Sequence, residues 1–219
     1  MGQAHVALKY HEAHMSLAHS SGDKEQEERA VNQLWRVYMK MADESERSND
    51  LHNACLFLEK SLKNAKQLKD MDMISTSLFK LGNCYKALQD FDRAIGYQNE
   101  YTQVCEEMSD LQGKSDALCA LGELYENRGD INRAIKTYKS FLQCAEESGD
   151  ENRISQACDK IGITFSQLGN YEESVTYFER GFELALKSKD HKRIGEAKVR
   201  LGFAKGNANM MSKMMSFSK

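Results

Sequence analysis

The 219-residue sequence contains no proline, so no pyrrolidine ring interrupts a helix anywhere along it. It has no apolar run long enough to cross a bilayer and no N-terminal stretch resembling the apolar core of a signal peptide. Both absences predict a soluble, intracellular chain with no membrane partner. No Cys-x-x-Cys pair occurs among the six cysteines at 55, 84, 105, 119, 144 and 158, so the spacing of a structural zinc site is missing. The cysteines read as reduced, small core residues, Cys105 filling the slot of Ala65, Ala145 and Ala185, and Cys84 that of Leu124. Glycines stand singly, which excludes a phosphate-cradling loop. No nucleophile lies beside a histidine and an acid in a recognisable order. The expectation is a non-enzyme: no catalytic residue, no cofactor and no metal ligand.

Net charge is only −3, but it is unevenly spread. Residues 187–219 carry nine Lys/Arg against two acids, a net +7, which leaves −10 on residues 1–186. An acidic body argues against nucleic acid as a partner. The basic end, with Lys192, Arg193, Lys198 and Arg200, is either a contact for an acidic partner or a solvated last helix with an unstructured tail.

What the sequence has in abundance is periodicity. Leu81-Gly82-Asn83-Cys84-Tyr85 recurs as Leu121-Gly122-Glu123-Leu124-Tyr125 and as Ile161-Gly162-Ile163-Thr164-Phe165, with a last partial copy at Leu201-Gly202-Phe203. The spacing is 40 residues each time. A fixed period of tens of residues is the signature of stacked repeats, each burying its apolar face against the next. Apolar positions at helical spacing, such as Leu78, Leu81 and Tyr85, make each repeat a pair of helices, near 51–68, 71–88, 91–108, 111–128, 131–148, 151–168 and 171–188. Gly82, Gly122, Gly162 and Gly202 fall inside helices, where glycine costs roughly 1 kcal/mol relative to alanine. Close helix approach explains that cost, with Ala94, Ala134 and Ser174 as the small residues expected opposite.

Taken in order, residues 1–22 read as the second helix of a truncated first repeat, whose uncovered apolar face suggests a piece or short form of a longer array. Residues 23–70 form a repeat with an elongated first helix: twelve steps separate Tyr38 from Asp50, against five from Tyr85 to Asp90. The seven extra residues, within 39–49, keep the helix nearly in phase and predict a polar tip, with Glu44, Glu46 and Arg47, projecting beyond the stack. Repeats follow at 71–110, 111–150 and 151–190, then a capping helix at 191–206 and a Met-rich tail at 207–219, which either continues the helix or frays. His5, His11, His14 and His19 cluster in the first helix, yet no further rigid ligand is evident, and they read as a polar face.

Leu/Ile-Gly-x-x-Tyr/Phe, a small residue twelve positions after the glycine and an aromatic four beyond it (Tyr138, Phe178) resemble the tetratricopeptide repeat. The resemblance runs from residue 1 to about 205. It implies an all-α, right-handed superhelical solenoid of antiparallel helix pairs, with a concave groove lined by the first helix of each pair. Each unit here is longer than the standard repeat of ~34 residues, and the family's usual proline near the end of the second helix is absent, which suits lengthened helices. The Tyr10-His11-Glu12-Ala13 start, the Leu34–Tyr38 stretch, Ala134-Ile135-Lys136 and Gly202-Phe203-Ala204-Lys205 are similar to the C-terminal half of the tetratricopeptide repeat protein 29 family. That likeness implies a motile-cilium or flagellar axoneme location within the cytoplasm and cytoskeleton. The partners it implies are inner-arm dynein subunits and a repeat companion bearing a MYND-type zinc finger.

Threading the repeat register places Phe79, Asn83, Lys86, Asp116, Cys119, Glu123, Glu126, Asp159, Ile163, Ser166 and Phe203 on the groove wall, with Arg29, Asn32 and Arg36 at its N-terminal end. Family members that hold a chaperone's C-terminal carboxylate use Lys and Asn at matching positions of successive units. Here those positions are Asn32, Phe79, Cys119 and Asp159, so that clamp is not made. The wall then reads as apolar spots among mostly acidic charge, suited to a basic and apolar peptide. Two functions remain: an axonemal scaffold that helps dock an inner dynein arm, or a soluble adaptor binding a linear peptide, of the cell-polarity type. Asn83 fits the asparagine-rich groove of the second; Glu123 and Ile163 do not.

Overall fold

The structure, a computed structural model, describes residues 2–217, with the side chains of 6–214 and Ser216. The side chains of His5, Met215 and Phe217, and all of residues 1, 218 and 219, lie outside that description. Ten helices and no strand occupy the described residues: α1 Gly2–Ser21, α2 Lys24–Arg47, α3 Leu51–Leu68, α4 Met71–Ala87, α5 Phe91–Glu107, α6 Leu111–Asn127, α7 Ile131–Ser148, α8 Glu151–Gln167, α9 Tyr171–Ser188 and α10 His191–Phe217.

The helices stop and restart by one local device. A single left-handed residue stands at each of the nine junctions: Gly22, Asn49, Lys69, Gln89, Ser109, Gly129, Gly149, Gly169 and Lys189. Glycine meets that backbone without strain, whereas the residues at the five other junctions carry a Cβ penalty there. An Asp or Asn follows every time. Asp23, Asp50, Asp70, Asp90, Asp130 and Asp150 each accept a backbone N–H from the first turn of the next helix. The cap satisfies one of the donors that a helix start leaves orphaned.

Two compact units, Met1–Asp110 and Leu111–Lys219, divide the chain. In the first, α2 packs on α3 and α4 on α5 around Leu34, Leu58, Leu78, Leu81 and Ala94, all buried. Aromatic pairs close the sides: Tyr38 on Phe57 with ring centroids 6.4 Å apart, and Tyr85 on Tyr97 at 5.5 Å. Trp35 Nε1 donates to Ser77 Oγ at 3.0 Å, tying α2 to α4. Helix α2 has 24 residues where α4 has 17. Its extra length is no free protrusion: Met41, Ala42 and Ser45 are buried, and Lys80 of α4 reaches Asp43. The expected polar tip therefore has one packed face, because an insertion of seven residues returns the same helix face to its neighbours.

The second unit pairs α6 with α7 and α8 with α9, and lays α10 against α9. Its core is Ala134, Tyr138, Phe141, Leu142, Ala145, Ile154, Ala157, Cys158 and Ile161. The α8–α9 pair is antiparallel: Ser166 Oγ meets Ser174 Oγ at 2.6 Å near the turn, and Phe178 lies over Gly162 one turn further out.

The repeated glycines face residues other than those expected. A Cβ built on Gly82, Gly122 or Gly162 would strike Gln98, Tyr138 or Phe178, not Ala94, Ala134 or Ser174. The glycine makes room for a large side chain one turn along the partner helix, and the small residue serves the backbone approach nearer the turn. Burying a side chain the size of Phe is worth about 1.5–3 kcal/mol, more than the helix propensity lost at glycine.

A candidate protein-binding wall

The first helices of successive repeats, α6, α8 and α10, carry a ladder of charge across the second unit. Arg153 donates to Asp116 at 2.6 Å, Lys160 to Glu123 at 2.7 Å and Arg200 to Asp159 at 2.8 Å. Arg193 of α10 reaches the side-chain oxygen of Asn152 on α8. Glu126 is held from two sides, by the Thr164 hydroxyl at 2.6 Å and the Tyr138 hydroxyl at 2.8 Å. Four acids expected to line a groove for a basic peptide thus already have donors on their own wall. Of the donors, Arg200 was a candidate of the basic end, whereas Arg153, Lys160 and Thr164 were not among the sequence candidates. The legible signal was a base 37 residues after an acid, one repeat less nearly one turn, as in Asp116–Arg153 and Glu123–Lys160.

The electrostatics follow from this pairing. The hydrogen bond to Asp116 holds the Arg153 guanidinium above its ordinary value. Burial alone would lower the Lys160 ammonium, but the hydrogen bond and charge of Glu123 outweigh it and the group is raised. Asp159 goes the other way: burial pushes its carboxyl up, and Arg200 offsets only part of the shift. Burial and the Glu126 carboxylate together raise the Tyr138 phenol. A cavity of about 160 Å³ opens between α8 and α10, lined by Asn152, Gln156, Asp159, Arg193, Glu196 and Arg200 among others.

The remaining candidates of the second unit fall into two groups. Ser166 is turned onto Ser174 of its own pair, and Gln156 Nε2 lies 3.6 Å from Cys119 Sγ. Ile163 and Phe203 are exposed, Phe203 by 69%. Of the basic-end residues, Arg193 and Arg200 are engaged with α8 while Lys192 and Lys198 are exposed. Phe203 belongs to a longer feature. Val199, Phe203, Met210 and Met214 are all more than half exposed, and at about 100° per residue they fall within roughly 60° of arc on α10. Exposed Lys192 and Lys213 lie on the same side.

In the first unit, Arg29, Asn32 and Arg36 do come together. With Tyr10, His11 and His14 they line a basin of about 770 Å³ between α1, α2 and the α3–α4 turn. Arg29 is paired with Glu25, and among the described residues His11 Nδ1 and Asn32 Oδ1 are buried without a hydrogen-bond partner. Phe79, Asn83 and Lys86 lie on α4, away from that basin; Phe79 packs against Tyr101 at 5.5 Å. Among the described residues no group of three or more His, Cys, Asp or Glu is placed to hold a metal ion, and no helix is long and apolar enough to cross a membrane.

Two models of the tetratricopeptide repeat match residues 76–101 and 114–204, between them more than half of the chain. The chain belongs to the tetratricopeptide repeat family. Solved structures agree on the fold: the apo form of RapI has a TM-score of 0.76 at 14% identity, over 98% of this chain and 62% of that one. A putative kinesin light chain of Podosopora anserina with TPR-like repeats has a TM-score of 0.66 at 13% identity, over 83% of this chain and 90% of that one. Among curated proteins, tetratricopeptide repeat protein 29 of Trypanosoma brucei brucei is 31% identical over 102 residues, 47% of this chain. The matched stretch spans 21% of that relative's length. The fold is that of an all-α repeat scaffold for protein–protein interaction.

Proposed function

We propose that this tetratricopeptide repeat chain is an attachment scaffold of the motile-cilium axoneme, helping to dock or assemble an inner dynein arm. The observation that carries the attachment surface is the stripe on α10: four large apolar side chains on one exposed face, flanked by Lys192 and Lys213. The wall beside it is self-paired, so binding by rigid presentation of the α10 face is favoured over binding by groove charge. The ciliary setting rests on the similarity to tetratricopeptide repeat protein 29. The partners in this reading are inner-arm dynein subunits and a MYND-type zinc-finger repeat companion; the chemistry that fits α10 is an acidic amphipathic helix.

The test is affinity capture with the whole tagged chain in cells building motile cilia, beside a Phe203→Asp, Met210→Asp variant. Recovery of inner-arm dynein subunits by the first and not the second supports the reading. Recovery of soluble cortical proteins alone overturns it.

The basin at Arg29, Asn32 and Arg36 favours a second reading, a soluble adaptor holding a linear peptide. Its unpartnered Asn32 and His11 atoms and its two arginines suit a peptide with backbone polar groups and a carboxylate. Peptide-array binding that is lost in Arg36→Ala, with dynein capture absent, selects this reading.

A further inference from the structure

Cys55 on α3 and Cys84 on α4 lie with their sulfurs 2.6 Å apart, both buried and neither in a disulfide. The two thiols are thus juxtaposed, within reach of a disulfide of about 2.05 Å without rearrangement of the helices. Packing does not demand the pair. The equivalent slots in later repeats hold Ile95, Ile135 and Val175 for Cys55, and Leu124 and Thr164 for Cys84. Two thiols therefore meet at one step of a chain that uses ordinary core residues elsewhere.

Access exists on one side. Cys55 lines a surface cavity of about 380 Å³ together with His52, Leu56, Glu59, Tyr85 and Arg93. The Cys55 S–H donates to Cys84, so the Cys84 thiol is lowered while Cys55, as donor and by burial, is raised. The Cys84 S–H itself reaches the Leu51 carbonyl at 3.4 Å, and loss of one proton from the pair gives the thiolate that acts as nucleophile.

We propose that Cys55 and Cys84 form a redox-responsive pair, closed by hydrogen peroxide to an intramolecular disulfide that staples α3 to α4. The thiolate attacks one peroxide oxygen, the O–O bond breaks, and the departing hydroxide takes up a proton as water. The sulfenic acid on the first sulfur is then attacked by the second, the S–S bond forms, and the other oxygen leaves as water. Two thiols lose two electrons and one peroxide becomes two waters. A dithiol reductant reverses the step by exchange.

The whole reduced chain is titrated with hydrogen peroxide and analysed by intact mass and by peptide mapping without reduction. The expected product has lost two hydrogens, carries one cross-linked peptide joining Cys55 to Cys84, melts at higher temperature than the reduced chain, and reverts with dithiothreitol. Cys119→Ser, at the partly exposed cysteine, retains the product; Cys84→Ser loses it. Recovery of Cys55 and Cys84 as separate thiols or oxyacids in the folded wild-type chain overturns the proposal, as does oxidation confined to dimers through Cys119. The wild-type peptide map decides even where Cys84→Ser does not fold.

Discussion

Tyr138 covers Gly122 so closely that a methyl group placed on the glycine would stand 2.2 Å from Tyr138 Cε1. Helix propensity alone says that Gly122→Ala should help by about 1 kcal/mol. Overpacking against a buried ring outweighs it, and the expected outcome in urea unfolding is destabilisation by about 1–3 kcal/mol. Gly202 occupies the same register with nothing within 4 Å of its built Cβ, so Gly202→Ala is expected to stabilise by up to about 1 kcal/mol. Equal effects at the two sites would show that close approach is not why glycine stands at 122.

The helix caps give a second pair of opposite outcomes. Asp130 accepts the Arg133 backbone N–H at 3.2 Å, whereas Asn170 makes no side-chain cap bond. Thermal unfolding of Asp130→Ala should report a loss of about 1 kcal/mol. Asn170→Asp should gain a few tenths to about 1 kcal/mol, from the cap bond and from charge at a helix N-terminus.

Asp159 predicts a pH dependence. Its carboxyl is raised in the folded chain, mainly by burial, so the native state keeps this proton to higher pH than the unfolded chain does. The resulting stabilisation is fully present below the ordinary carboxylate pKa of about 4 and is lost as pH rises through the folded value. Relative to Asp159→Asn, which cannot titrate, wild type should lose stability as pH climbs above about 4 toward neutrality. Denaturant unfolding of both proteins across that range checks the sign. A wild type that instead gains on the variant would mean that the Arg200 pair dominates.

The Lys160–Glu123 pair joins two helices at 2.7 Å, each side chain 29% exposed. A double-mutant cycle with Lys160→Met and Glu123→Gln should return a coupling of no more than about 1 kcal/mol, decreasing as salt is added. A coupling of several kcal/mol would mark the ladder as the main support of the stack rather than a guide to its register.

The 40-residue period made the fold legible because a repeat writes its helix starts several times over; the Asp at 50, 70, 90, 130 and 150 caps a helix in each case. The partner of each glycine was not legible. The helix crossing brings Tyr138, not Ala134, over Gly122, and residue size alone points to the wrong neighbour. The wall was half legible. Register placed Asp116, Glu123 and Asp159 on their helices, but nothing local shows that each already has a basic partner one repeat away. Helix α10 also extends beyond the periodic signal, to Phe217: periodicity reports burial against neighbours, and a helix can continue without it.

The charged ladder also fixes the order in which the repeats can follow one another. Every unit from residue 71 to 190 has the same length, so excising 111–150 would leave an apparently seamless chain. In that spliced chain Lys160 would meet the register slot of Asn83 in place of Glu123, and Arg153 that of Thr76 in place of Asp116. Repeats that match as shapes are thus labelled by charge at their joints, so shuffling, deleting or duplicating one costs register information that length and hydrophobic pattern do not carry.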